Sequence, residues 1–149
     1  MRQAIALATD NVASGGGPFG ALVVRNGEVL ATGVNQVTAT NDPTAHAEVV
    51  AIRAACKTLG TFQLTGCVVY TSCEPCPMCL AALYWSRCEA VYYGNSARDA
   101  AAVGFDDSFL YEQVALPIES RKLSMYRLIP EEAIASFEAW RNQPNKIEY

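Results

Sequence analysis

The chain contains a single histidine, and its surroundings constrain the rest of the molecule. His46 lies in His46-Ala47-Glu48, and thirty residues on comes Pro75-Cys76-Pro77-Met78-Cys79. Alone, a histidine is usually an ordinary core or surface residue, and an isolated C-x-x-C is a weak motif. Here each stands at the start of a predicted helix, and the pair is a strong signal. Zinc takes borderline-soft donors in a tetrahedron, and a catalytic site leaves one corner to water. His46, Cys76 and Cys79 supply three donors. Two thiolates and an imidazole cancel the metal's charge, but helix N-termini stabilise thiolates and withdraw electron density. Water at such a metal ionises with a pKa of about 7. Glu48 is not needed as a ligand and is placed to move protons. Its plain alternative is an acidic first-turn residue favoured by the helix dipole.

The six cysteines are Cys56, Cys67, Cys73, Cys76, Cys79 and Cys88. Met1 to Asp10 reads as a first helix rather than a secretory signal, so a reducing, cytoplasmic setting is expected and metal binding outranks disulfides. Cys73 extends the motif to C-x-x-C-x-x-C. A closed four-ligand zinc site and a ferredoxin-type iron–sulfur run are the alternatives this raises. Neither explains a glutamate two residues after the only histidine, so Cys73 is expected to be unligated.

The formal charge is −4, and Lys and Arg are scattered along the chain. A nucleic-acid binder usually carries a basic face. The balance favours a small uncharged substrate and no nucleic acid. No apolar run approaches the length of a membrane span.

The 149 residues suit one domain. Residues 2–14 read as a helix with Ile5, Ala8 and Val12 on one face. Phe19 to Val24 and Val29 to Gly33 read as strands joined by an Asn26-Gly27 hairpin. Asn35 to Asp42 reads as polar loop. Asp42-Pro43-Thr44 resembles a helix start, the helix running to Leu59-Gly60. Cys67 to Thr71 is a buried strand. A helix from Pro75 follows, with Met78, Leu80, Leu83 and Tyr84 inside, and then a strand at Ala90 to Tyr93. Gly104 to Asp107 reads as loop, Met125 to Ile129 as a last strand, and Pro130 to Trp140 as a last helix. Helical crossovers imply parallel pairing in the second half.

The H-x-E…P-C-x-x-C arrangement is the general signature of zinc nucleobase deaminases. With Gly17-Pro18-Phe19-Gly20-Ala21, Asn41 to Glu48 and Tyr70 to Cys79, the chain resembles the cytidine deaminase-like superfamily over essentially its whole length. Within it, Gly104-Phe105-Asp106-Asp107-Ser108-Phe109 and the ending Ala139 to Tyr149 resemble enzymes acting on guanine. The resemblance implies a three-layer α/β/α fold with a central mixed five-stranded sheet. It implies one zinc ion per subunit on His46, Cys76 and Cys79, with Glu48 as proton shuttle. It implies base contacts from Asn35, Ala47, Asp107 and Tyr149, Asp107 also assisting catalysis, and pocket walls from Phe19 and Trp85. It further implies a homodimer exchanging C-terminal segments, so that Tyr149 closes a partner's pocket. Phe19 and Trp85 also read as core residues, Asp107 as a cap of the next helix, and Tyr149 as a frayed end. The rival activities are deamination of adenosine in tRNA and of another amino-heterocycle such as ammeline. The non-enzymatic rival is a structural metal module.

Overall fold

The computed structural model describes all residues, Met1–Tyr149, and divides into two compact units, Met1–Ser108 and Phe109–Tyr149. The first unit opens with α1 (Arg2–Ala13), then β1 (Gly20–Arg25) and β2 (Glu28–Val34). Between the strands Asn26 and Gly27 take φ 53° and 82°. Positive φ at both central residues is what a tight hairpin following the strand twist requires. A four-residue α2 (Val37–Thr40) interrupts the stretch expected to be loop. Next come α3 (Ala47–Leu59), β3 (Cys67–Cys73), α4 (Pro77–Ser86), β4 (Ala90–Asn95) and α5 (Ala97–Ala102).

The sheet order is β2-β1-β3-β4, with β1 antiparallel to both neighbours and β3 parallel to β4. It is the mixed sheet expected, with four strands rather than five. The missing strand is Met125–Ile129, which pairs with no other segment. A strand exists through its ladder, and Tyr126 and Leu128, 82% and 75% exposed, have no face to pack on.

Alternation along β1 and β3 separates two layers of helix. Ala21 and Val23 of β1 and Cys67 and Val69 of β3 share a core with Ala47, Ala51 and Ala55 of α3 and Leu83 of α4. Gly20 and Leu22 point the other way, to α1. Both helix contacts are close. A Cβ on Gly20 would lie 2.6 Å from the Ala4 carbonyl oxygen and 2.7 Å from the Ala8 nitrogen. The helix meets the seam with its backbone and with Leu7, so Ala4 and Ala8 are buried while Ile5 and Val12, expected inward, are exposed. On the opposite face a Cβ on Gly33 would strike the Ala47 carbonyl oxygen and lie 2.6 Å from the Ala51 nitrogen.

Two further expectations change. Asp42-Pro43 does not start a helix: Asp42 Oδ1 accepts from the Thr44 amide at 2.8 Å and its hydroxyl at 2.7 Å, a turn of its own, and α3 begins at Ala47. In α4, Cys79, Leu83 and Ser86 face inward, which turns Leu80 and Tyr84 out to solvent.

The second unit holds most of α6 (Ser108–Ala115), a 3₁₀ turn at Ile118–Ser120 and α7 (Pro130–Asn142). It has no buried residue. Phe109, Leu123, Leu128, Phe137 and Trp140 are all exposed. No helix of the chain is long and apolar enough to cross a membrane.

The seam at Gly33 generates a prediction. Gly33→Ala should destabilise the protein by about 1–3 kcal/mol, since neither contacting atom belongs to a movable side chain. Urea unfolding of the variant beside the parent measures this, and an unchanged midpoint would contradict the packing described.

Candidate metal and deaminase site

Two helix N-termini converge beside the end of β3. His46 is the N-cap of α3, in extended conformation at φ −70° and ψ 154°. Cys76 is the N-cap of α4 at φ −64° and ψ 167°, and Pro77 fills the first helical position. Proline suits that place because its missing N–H is unpaired there in any case. Neither helix is capped by a side chain. Their free first-turn N–H groups therefore remain to stabilise negative charge at the cap.

Cys79, one turn into α4, closes the cluster. His46 Nδ1 lies 3.5 Å from the sulfur of Cys76 and 3.5 Å from that of Cys79. All three donor atoms lie within 4.8 Å of one another. Zinc bonds of roughly 2.3 Å to sulfur and 2.05 Å to nitrogen, at a tetrahedral angle, set that edge at about 3.6 Å. Both nitrogen–sulfur edges thus already stand at the spacing zinc requires, with Nδ1 as the imidazole donor. Cys73 is not in the group: its sulfur is 3.7 Å from the Ser96 carbonyl oxygen, and burial pushes its thiol up to about 11.

The charges follow from the crowding. A hydrogen bond from the Cys79 thiol pulls Cys76 down to about 4, with the His46 ring and the Cys79 amide helping. Cys79 keeps the proton, its pKa raised foremost by the neighbouring Cys76 sulfur. The hydrogen bond with Cys76 raises the pKa of His46.

Glu48 sits in the first turn of α3, only 5% exposed. Burial raises its pKa, so it holds a proton more readily than an ordinary glutamate. Its Oε2 lies 3.4 Å from the Cys79 sulfur, and its Oε1 accepts from the Thr71 hydroxyl at 3.2 Å. Sequence reasoning took Thr71 only as a residue of a buried strand. Its functional signal, a hydroxyl on a core-facing strand end, becomes visible once α3 is laid over β3.

The other expected residues are placed unevenly. Ala47 is buried beside Glu48. Asn35 follows β2; its amide donates to the Phe19 carbonyl at 3.1 Å, and its Oδ1 accepts from Val37 N at 3.3 Å. The Phe19 ring meets Phe105 edge-on, centroids 4.9 Å apart at 87°. Phe105 was visible in the sequence only as part of a loop motif. Asp107 is half-buried, its pKa raised by burial and next by the Cys76 charge. Asp106 accepts from the Ser108 amide at the start of α6, at 3.0 Å. Trp85 lies six residues beyond Cys79, roughly 9 Å along the helix axis, and is 65% exposed. Tyr149 belongs to the second unit and is 72% exposed.

A three-donor zinc cradle with a buried carboxylate beside it, on an α/β/α scaffold, defines a zinc-dependent hydrolytic deaminase. Residues 1–95 match the zinc-binding region of cytidine and deoxycytidylate deaminases, and the chain belongs to that family. It is 53% identical to a guanine deaminase of Bacillus subtilis over 100% of its own length and 96% of the relative's. An X-ray structure of guanine deaminase from B. subtilis superposes with a TM-score of 0.97 at 54% identity, covering 99% of this chain and 95% of the other. A tRNA-specific adenosine deaminase of Aquifex aeolicus is 47% identical, but over only 51% of this chain and 50% of its own length.

Zinc binding requires both sulfurs bare and the imidazole neutral, so it expels the Cys79 proton and any proton on His46. Loading at pH 7 should release roughly one to two protons per metal, and affinity should weaken as pH falls and His46 becomes charged. Calorimetry in buffers of different ionisation enthalpy counts these protons. Metal analysis of Cys73→Ser should still find one zinc per chain, and of Cys79→Ser far less.

Proposed function

We propose that this chain hydrolyses guanine to xanthine and ammonia, acting as a single deaminase domain over residues 1–149. The observation that carries the choice of base is the likeness to guanine deaminase along the entire chain, past the metal motif that all family members share. The tRNA adenosine deaminases it resembles match a smaller share of the chain, from 51% to 75% in sequence, and a tRNA:A34 deaminase structure superposes with a TM-score of 0.65 against 0.97. The net charge of −4 also disfavours a polyanionic substrate.

His46, Cys76 and Cys79 would hold a zinc ion, which would supply a water acidified to near neutral pH as the nucleophile. Everything else falls to the protein. Thr71 engages Oε1 of Glu48, which leaves Oε2 on the side of the metal ligands. Glu48 takes a proton from the attacking water and delivers it to N3 of the base as the C2–O bond forms. It then moves the remaining hydroxyl proton to the amino group, the C2–N bond breaks, and ammonia leaves. Its raised pKa suits a group that must both accept and return a proton. Asp107 faces the N1–H and amino donors of guanine and assists departure of the amine. Asn35 and the Ala47 backbone contact the base, and Phe19 forms an apolar wall. A pocket built to pair those donors rejects bases lacking them, because its own polar groups would go unpaired.

The second unit supports a homodimer with exchanged C-terminal segments. Its apolar residues are exposed in the single chain, and Met125–Ile129 has no ladder partner. A second copy would cover the first and supply the second, giving the sheet its fifth strand. Tyr149 would then close the partner's pocket, with Trp85 forming an outer wall. Six unpaired cysteines fit a reducing, cytoplasmic setting, where purine breakdown releases nitrogen.

Glu48→Gln should retain zinc and lose about 10²–10⁴-fold in ammonia release from guanine. Near-normal turnover with full metal would overturn the assignment. Asp107→Ala should lower the guanine rate markedly. A panel of guanine, adenine, cytosine, ammeline and tRNA, with and without chelator, fixes the substrate: inosine formation in tRNA without guanine turnover would favour the rival reading.

A further inference from the structure

The mechanism above makes no use of Asn11, in the last turn of α1. Its side-chain amide has two protons, and both are taken by backbone carbonyls outside α1. Nδ2 donates to the Gly17 oxygen at 2.8 Å and to the Asn35 oxygen at 2.9 Å. The same Gly17 oxygen accepts from the Phe19 amide at 2.8 Å, and the Phe19 oxygen accepts from the Asn35 amide at 3.1 Å. The four residues thus form a closed circuit of hydrogen bonds, with Asn11 the one member outside the base-facing segments. A fifth bond, Gly16 N to the Asn11 carbonyl at 2.8 Å, ties the helix end to the loop.

The glycines in the circuit leave room for it. A Cβ on Gly16 would strike the Asn11 amide, lying 2.7 Å from Cγ. A Cβ on Gly17 would lie 3.1 Å from Cγ of Asn35, so the bare Gly17 backbone borders the Asn35 side chain. Gly16 and Gly17 are therefore a fitted surface between two asparagines. No bond of Asn11 reaches α3 or α4, which carry the metal ligands and Glu48.

We propose that Asn11 is a positioning residue for base recognition, acting through Asn35 by fixing the backbone on which Asn35 and Phe19 are presented. The proposal rests on the reading of Asn35 as a base contact. A donor held between two carbonyls has a strict chemical requirement. Aspartate, of the same size, would aim a carboxylate oxygen at both carbonyl oxygens, and alanine would take the Asn11 donor from both, leaving the Gly17 oxygen only the Phe19 amide. Alanine favours a helix, so its effect would not arise from α1 unwinding.

The test uses the full-length, zinc-loaded protein and guanine. Asn11→Ala should raise KM roughly tenfold, the scale set by a small displacement of a contact group, while kcat stays within about twofold and zinc content is unchanged. Asn11→Asp should raise KM at least as far, with a thermal midpoint that shows it folded. Asn35→Ala should raise KM by itself, and adding Asn11→Ala to it should raise KM no further. Multiplying effects in the double variant would overturn the proposal while leaving Asn35 a base contact. A loss confined to kcat or to zinc content would also overturn it. An unchanged KM in Asn35→Ala would remove the reading of Asn35 and the proposal with it.

Discussion

An imidazole nitrogen 3.5 Å from each of two sulfurs forms an arrangement suited to a metal cation. The crowding favours a thiolate at Cys76 and raises the pKa of the Cys79 thiol. Burying such a charge is costly unless fixed dipoles or a counter-ion answer it. The fold supplies the dipoles by bringing two helix N-termini, both lacking side-chain caps, to one point. The remaining features of the site are arranged around that convergence, including the buried glutamate and the hydroxyl that holds it.

Convergence depends in turn on how close α3 lies to the sheet. Gly33 and the alanines at 47, 51 and 55 bring the helix backbone almost onto β2 and β1. Small residues here do not mark a poor core. They set the height of the first turn of α3, and hence of His46 and Glu48, above the end of β3. The same rule operates on the other face, where Gly20 receives Ala4 and Ala8.

Much of this was legible in the sequence. His46, Cys76 and Cys79 could be grouped because their chemistry has few other uses at helix starts, and the Asn26-Gly27 hairpin because its turn geometry admits few residues. The unread parts share one cause: they depend on what lies across the contact. Ile5 and Val12 fit a helical apolar face, yet the seam at Gly20 turns Ala4 and Ala8 inward instead. Tyr84 and Leu80 fit the pattern of an inward face, yet the ligand Cys79 sets the rotation of α4. Asp42-Pro43 carries every local mark of a helix start, but a neighbouring threonine takes the aspartate for a turn. Met125–Ile129 has strand composition and no strand to pair with.

The ligands come from two helices separated by a complete strand, His46 and Cys76 being 30 positions apart in sequence. A bound ion is therefore a cross-link as well as a reagent. It closes that loop, joining the start of α3 to the start of α4, and opposes chain opening in the way a disulfide would. Unfolding must discard it, so the binding free energy of the ion adds to the stability of the first unit. Its tolerance of core damage will then vary with how much metal the cell provides.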